Sequence, residues 1–282
     1  MGARFRFAVC NELFEKVPFA EACSAIREIG YDGIEIAPYT LAESPTSVAA
    51  GQRREYRRVI ENSGLSFVGL HWLMVSPLGL HVTTPDLGLR KRSWEHVRGL
   101  IELCADLGDH GVMVFGSPKQ RSTDGGMTPA EASKVFADEL SKVVPEAEHR
   151  GVRILVEALP SNQSNVINVL AEAVPIVEQI NSPAVRTMFD SHNAIDETEP
   201  HSMLVKRYVS YIDHVHVNEI DGREPGTGDY DFDSLLRTLE ELDYHGYVSL
   251  EVFDFTRDPR TIARSALDHL KSKLKRARVQ VH

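Results

Sequence analysis

The amino-acid sequence predicts a single (β/α)₈ barrel, and three observations lead to that prediction. The chain has 282 residues, close to the roughly 250 residues typical of such barrels. Eight short runs of β-branched and aliphatic residues each precede a segment with apolar residues at helical spacing. No linker, low-complexity segment or block of like charge interrupts this alternation, which favours a parallel sheet in one domain spanning residues 1–282.

The first four units are delimited by residues that start or stop helices. Apolar residues at helical spacing between Phe19 and Ile29 predict the first helix, and Gly30 ends it. In the fourth unit Pro129 follows Thr128 in the first helical turn, where the missing N–H group of proline costs nothing. The predicted strands are residues 4–10, 33–36, 65–70 and 111–115, and the predicted helices are residues 18–29, 44–62, 90–107 and 129–149.

The last four units repeat this scheme with one addition. Each of their strands carries, at or near its C-terminal end, a side chain that can bind a metal ion. The predicted strands are residues 153–157, 185–190, 214–218 and 248–252, and the predicted helices are residues 165–180, 199–211, 231–243 and 258–275.

Composition excludes several classes of protein. The net charge of −10 argues against a broad surface for nucleic acid or acidic membrane, because binding to phosphate depends on an excess of Lys and Arg. Cys10, Cys23 and Cys104 are widely spaced, which favours reduced thiols over a disulfide framework. No window approaches the roughly 18 apolar residues of a membrane span. We therefore expect a cytoplasmic protein without nucleic-acid or membrane partners.

We interpret the four metal-competent side chains as one site. They are separated by 33, 26 and 35 residues, each close to one β/α unit in length. The C-terminal ends of all barrel strands converge at one face, so these side chains would surround half of the barrel mouth. A single acidic residue at a strand end commonly caps a helix or faces solvent, but recurrence in four successive units favours a shared site. The residues are Glu157, Asp190, His216 and Glu251.

The donor set suits one divalent ion. Three carboxylates and an imidazole are rich in oxygen and match a hard or borderline ion, with Mn²⁺ the first candidate and Mg²⁺, Co²⁺ or Zn²⁺ also compatible. A structural zinc site would instead use cysteine. His214 lies two residues before His216 and faces the same side of its strand. We expect His216, nearer the strand end, to bind the ion and His214 to lie deeper.

Motifs in order along nearly the whole chain resemble a known family. They are NELF at residues 11–14, GIEI at 33–36, Glu157, FD at 189–190, HVH at 214–216, PGTG at 225–228 and Glu251. Together they resemble the sugar phosphate isomerase/epimerase family of xylose isomerase-like barrels. This family includes D-tagatose and D-psicose 3-epimerases, hydroxypyruvate isomerase and inosose-processing enzymes.

The resemblance implies a metal-dependent isomerase or epimerase of a small ketose or keto-polyol. It implies that the four predicted ligands hold one Mn²⁺-type ion and that Glu157 and Glu251 also transfer the substrate proton on opposite faces. The chemistry agrees, because an ion that chelates a ketose carbonyl and its neighbouring hydroxyl stabilises an enediolate, and two flanking carboxylates can remove and return a proton. The resemblance also implies a homodimer or homotetramer, although no helix face in the sequence identifies an interface.

Three candidates for substrate binding follow the early strands. Glu35 ends the second strand within an apolar run, where a glutamate without a role is uncommon. His71 and Trp72 follow the third strand, where they could hydrogen-bond a hydroxyl and supply an apolar wall, although packing at the barrel rim is the alternative.

Three further candidates stand where the chain departs from the epimerase pattern. The family has histidine three residues after the aspartate, whereas this chain has Asn193 there and His192 one residue earlier. Arg223 lies two residues before Pro225 rather than three, and it is a candidate anchor for a polar substrate. A weaker alternative places an anion near Lys119 and Arg121, after the fourth strand.

Three other functions remain open at this point. A dehydratase of an inosose-like substrate would need an acid to protonate the leaving hydroxyl, and His71 or His192 could supply it. A hydrolase similar to apurinic endonucleases would need several zinc ions, additional histidine ligands and a basic groove, which the net charge of −10 disfavours. The third is a barrel that binds a sugar without turnover.

Overall fold

Parallel strands form a closed barrel in which each strand pairs with its neighbours in the chain and the last strand pairs with the first. The computed structural model describes residues 5–279. The strands are β1 (Arg6–Cys10), β2 (Gly33–Ile36), β3 (Ser66–Leu70), β4 (Val112–Phe115), β5 (Arg153–Val156), β6 (Val185–Asp190), β7 (Ile212–Val217) and β8 (Tyr247–Leu250). The helices that follow them are α1 (Phe19–Ile29), α2 (Ala50–Asn62), α3 (Leu87–Leu107), α4 (Pro129–Arg150), α5 (Leu170–Ile180), α6 (His201–Tyr208), α7 (Phe232–Glu241) and α8 (Pro259–Val279). The predicted (β/α)₈ fold is confirmed.

The predicted helix starts differ more from the structure than the predicted strands do. Helix α2 begins at Ala50 because the Pro45–Ser47 segment forms a separate 3₁₀ turn. Helix α5 begins at Leu170 because the preceding loop has its own structure, in which the Asn168 side chain donates to the carbonyls of Leu159 and Ser164 at 2.7 and 2.8 Å. Polar side chains bonded to nearby carbonyls compete with helix formation, so the loop extends further than its composition indicates.

The interior of the barrel is apolar towards its N-terminal end and polar at its C-terminal end. An apolar layer fills the N-terminal half, and it consists of Ala8, Val68, Val112, Val114, Leu155 and Met188. Side chains two residues further along a strand point the same way, so Glu157 follows Leu155 and Asp190 follows Met188 on the inner face. Polar groups are thereby brought together at the C-terminal end. Within the described residues, no helix has the length and apolar character needed to cross a membrane.

Candidate metal centre

The structure brings the four predicted ligands together at the C-terminal end of the barrel. Glu157, Asp190, His216 and Glu251 each offer a donor atom, and these atoms all lie within 4.8 Å of one another. All four side chains are buried. Nδ1 of His216 lies 3.1 Å from Oε2 of Glu251 and 3.5 Å from Oδ2 of Asp190. The arrangement is compact enough for one ion to contact every donor after small adjustments.

Hydrogen bonds hold one oxygen of each carboxylate in place. Oδ1 of Asp190 accepts the backbone N–H groups of His192 and Asn193 at 2.7 and 2.9 Å. Oε1 of Glu157 accepts the side-chain amide of Asn193 at 2.9 Å. Oε1 of Glu251 accepts the indole N–H of Trp72 at 2.8 Å. Each carboxylate is therefore oriented by the loops that follow β3 and β6.

The buried carboxylates perturb one another's ionisation. Burial, together with the charges of Glu251 and Asp190, raises the pKa of Glu157 to about 8. Burial acts to raise the pKa of Asp190 as well, but the nearby imidazole of His216, whose Nδ1 lies 3.5 Å from Oδ2, holds it below its ordinary value. Carboxylates this close cannot all be ionised without a compensating positive charge.

These features fit a divalent cation. Oδ2 of Asp190 is buried without a hydrogen-bond partner, although buried polar atoms are almost always paired. Two other groupings of possible donors overlap this site through shared residues, and both include Cys10. Burial raises the pKa of the Cys10 thiol to about 11, so it is protonated at neutral pH, whereas the thiolate is the form that binds metals. The cluster of three carboxylates and His216 is the best match to a cation.

A second layer of charged groups lies beneath the ligands. Nε2 of His216 lies 3.1 Å from Oε1 of Glu35, and Nε2 of His214 lies 2.8 Å from its Oε2. Burial acts to raise the pKa of Glu35, but the two histidines hold it well below its ordinary range. A carboxylate that contacts the far nitrogen of a ligand histidine fixes the orientation of the ring. Glu35 is thus placed to position His216.

Glu12 and His71 form a buried pair just after β1 and β3, and sequence reasoning missed Glu12 as a site residue. Oε2 of Glu12 lies 2.7 Å from Nε2 of His71, and both side chains are fully buried. Glu12 lies two residues after the end of β1, so its position after a strand was the signal that could have identified it. The pair fills the barrel interior next to Glu35, whose Oε1 lies 3.8 Å from Nδ1 of His71.

A cavity of about 580 Å³ opens above the site. Glu157 and Glu251 line its inner end together with Asn193, and Trp72 lines its wall. Trp72 has a φ of 51°, which is unusual for a bulky residue. Another cavity, of about 600 Å³, lies at the N-terminal end of the barrel and contains none of the four donors.

Trp72 is held in this conformation by its neighbours. Its indole is parallel to the ring of Phe253, with centroids 6.0 Å apart and planes at 2°, and it stacks on Tyr39 at 6.1 Å and 15°. The stacking and the hydrogen bond to Glu251 together stabilise the left-handed backbone. Phe253 was missed by sequence reasoning, although it lies only two residues after Glu251 and lines the same cavity.

Four of the six predicted substrate-binding residues do not line this cavity. Glu35 and His71 are fully buried below it. Nδ1 of His192 is 2.7 Å from the carbonyl of Ile220, and its ring packs on Phe253. Arg223 pairs with Asp221 at the surface. Of the six candidates, Trp72 and Asn193 face the cavity.

Residues 116–121 form the wall after β4. Gly116 lies beside Glu157, and a Cβ atom at this position would overlap Oε2 of the carboxylate. Lys119 lines the cavity, whereas Arg121 is fully buried and donates to the carbonyl of Phe115 at 2.8 Å. Arg121 is therefore bonded to the protein backbone and is not placed to contact an anion in the cavity.

Comparison with known proteins identifies a family of related barrels. A family model described as a xylose isomerase-like TIM barrel matches residues 23–273. Fructoselysine 3-epimerase of Shigella flexneri is 22% identical over 92% of this chain and 95% of that protein. 3-Dehydro-D-guloside 4-epimerase of Escherichia coli strain K12 is 24% identical over 93% of this chain and 97% of that protein. A solved structure of L-ribulose 3-epimerase matches with a TM-score of 0.84 and 18% identity over 98% of this chain and 97% of that one, which shows the shared fold.

Proposed function

The chain belongs to the xylose isomerase-like TIM barrel family, and we propose that it is a divalent-metal-dependent epimerase or isomerase of a small ketose or keto-polyol. The observation that carries the proposal is the convergence of four donor side chains, from four successive β/α units, beneath one cavity. Both curated relatives reported above are epimerases of sugar derivatives by name, which supports an enzyme of this reaction class.

In this proposal Glu157, Asp190, His216 and Glu251 hold one ion, with Mn²⁺ the first candidate. An ion held there would supply Lewis-acid chemistry, which would polarise the substrate carbonyl and acidify the adjacent C–H bond. Asp190 is oriented for this role by the two N–H groups that bind its other oxygen. Trp72 forms part of the wall of the cavity beside these residues.

The two glutamates are the proposed proton-transfer groups. Both line the cavity, and an epimerase needs one group to remove a proton and another to return it. Asn193 donates its side-chain amide to Oε1 of Glu157, and this contact orients the carboxylate at the cavity. Trp72 holds Oε1 of Glu251 and directs that carboxylate towards the same space.

The dehydratase alternative is less well supported by the geometry. It requires an acid near the leaving hydroxyl, and its candidates were His71 and His192. His71 is paired with Glu12 in the barrel interior, and His192 faces the carbonyl of Ile220. Neither imidazole is among the residues that line the cavity, so we retain the epimerase or isomerase.

Deuterium exchange tests the proposal. The Mn²⁺-loaded protein is incubated in D₂O with a panel of ketoses and keto-polyols, and deuterium incorporation is measured by mass spectrometry. We expect deuterium to enter a carbon beside the carbonyl of at least one sugar and expect a chelator to stop the exchange. Exchange that continues in the chelator would contradict metal dependence, and no exchange with any sugar would contradict the proposed reaction.

Substitutions then assign the roles. Glu157→Gln and Glu251→Gln should each abolish conversion of one epimer into the other, because an amide cannot accept or return the proton at neutral pH. Metal content is measured for each variant, so that loss of the ion is separated from loss of the proton-transfer group. Glu61→Gln is the matched control, since Glu61 pairs with Arg57 on the surface. Wild-type conversion by both active-site variants would refute the assignment.

A further inference from the structure

The cavity above the metal site has two chemically different ends. The inner end presents the carboxylates of Glu157 and Glu251 and the amide of Asn193. The outer end is mainly apolar: its lining includes Trp72, Val75, Leu78, Leu159 and Phe253, and its polar members are Ser117, Lys119, Gln120 and Gln163. A sugar has hydroxyl groups on nearly every carbon, so it matches the inner end alone.

The volume of the cavity exceeds what a small free sugar fills. Cavities of about 300–1,000 Å³ typically hold drug-sized ligands, and this one measures about 580 Å³. A ketose bound at the carboxylates would leave the outer end to water. Sugar hydroxyls that reached it would exchange hydrogen bonds with water for apolar contacts, which is unfavourable.

The rim of the outer end exposes large apolar side chains. Leu78 is 90% exposed, Val75 is 43% exposed and Phe253 is 39% exposed. Contiguous exposed apolar surface usually marks a binding surface. The parallel rings of Trp72 and Phe253 add a flat apolar face, and the hydrogen bond from Trp72 to Glu251 links this face rigidly to the metal site.

Charge also restricts the ligand. Lys119 is the cation among the residues that line the cavity, and its side chain is exposed. The outer end thus offers a phosphate one exposed cation, and its apolar side chains outnumber its uncharged polar ones, Ser117, Gln120 and Gln163. Its continuity with the inner end favours one ligand that spans both.

We propose that the outer end is a subsite for an apolar substituent on the sugar, so that the preferred substrate is a ketose or keto-polyol bearing an alkyl or aryl group remote from the reacting carbonyl. This inference rests on the proposed function. Leu78, Val75 and Phe253 are its specificity-determining residues, and they act by binding the substituent, not by taking part in proton transfer.

The test compares two substrates that differ only in the substituent. The probes are a keto sugar from the deuterium-exchange panel and the same sugar carrying a phenyl group at its remote end, each assayed for KM and kcat. We expect the phenyl group to lower KM about tenfold in the wild type and expect Leu78→Ser to remove most of this advantage. Leu87→Ser is the matched control, because Leu87 is 69% exposed but lies outside this cavity, and it should retain the full advantage.

The outcomes separate this inference from the proposed function. Exchange of the free sugar with the same KM for the phenyl sugar overturns the subsite and leaves the proposed function standing. Absence of exchange with both sugars would refute both the apolar subsite and the proposed function. If Leu78→Ser changes the oligomeric state in size-exclusion chromatography but not the KM ratio, the rim is an interface between copies of the chain, and the subsite is wrong.

Discussion

Replacing Gly116 by alanine tests whether the position of the Glu157 carboxylate controls the site. A Cβ atom on Gly116 would overlap Oε2 of Glu157 and would lie 3.2 Å from its Cδ and 3.3 Å from Cδ2 of Leu159. The overlapped atom is the end of a side chain and not part of the backbone. We therefore expect the carboxylate to move while the barrel stays intact.

The size of the effect follows from this overlap. The carboxylate must retreat by about 1 Å to restore van der Waals separation, and misplacement of that size costs on the order of 100-fold in rate. A 100-fold loss corresponds to about 2.7 kcal/mol of activation free energy. The free energy of unfolding of the metal-free protein should change by less than about 1 kcal/mol, because the fold loses no buried contact.

The assay is deuterium exchange at saturating Mn²⁺, with urea unfolding of the metal-free protein measured in parallel. Gly51→Ala in α2 is the control, because a Cβ atom there would meet only Nη2 of Arg54, at 3.8 Å. We expect the control to keep wild-type kcat/KM. Wild-type kcat/KM in Gly116→Ala, or a loss explained entirely by unfolding, would refute the reasoning.

Three other predictions concern the metal and its neighbours. A chelator should abolish exchange and lower the unfolding free energy, measured by urea denaturation, by about 2.7 kcal/mol relative to protein at 100 times the metal Kd; unchanged stability would argue against a bound ion. Glu35→Gln removes the carboxylate beside Nε2 of His216 and should weaken metal binding about 10- to 100-fold in calorimetric titrations, whereas unchanged affinity would show that Glu35 does not position the ring. The pKa of Glu157 is raised from 4.5 to about 8 in the folded protein, so folding favours the neutral carboxyl. The unfolded chain releases this proton at lower pH, so the wild-type protein loses unfolding free energy as the pH rises from about 4.5 through about 8. Metal-free Glu157→Gln should therefore gain stability relative to the wild type between pH 4.5 and 9, and a constant difference would contradict the shift.

Much of the fold and the main cluster could be predicted from the sequence. Strand periodicity and the spacing of β/α units are properties of the chain itself, and the convergence of strand ends follows from barrel closure. Glu157 and Asp190 were predicted to lie together on this basis, and the structure places them with His216 and Glu251 within 4.8 Å. That these four residues bind a metal stays a prediction.

The choice between two neighbouring histidines illustrates what could be reasoned in advance. His214 and His216 share a face of β7 because side chains alternate along a strand, and the residue nearer the strand end was expected at the ligand cluster. The structure places His216 with the carboxylates and His214 below it, against Glu35. The positions of the two histidines along β7 were enough to predict which of them joins the ligand cluster.

Loop side chains could not be predicted in this way. The sequence does not indicate that Asn193 would bind Glu157 while His192 turns to the carbonyl of Ile220, or that Arg121 would be buried against backbone carbonyls. Side chains alternate between the two faces of a strand, so their directions follow from their positions in the sequence. The direction of a loop side chain depends instead on hydrogen-bond partners from other parts of the chain. The sequence by itself thus determined which strands deliver the four donors, and the closed barrel decided which loop residues face them.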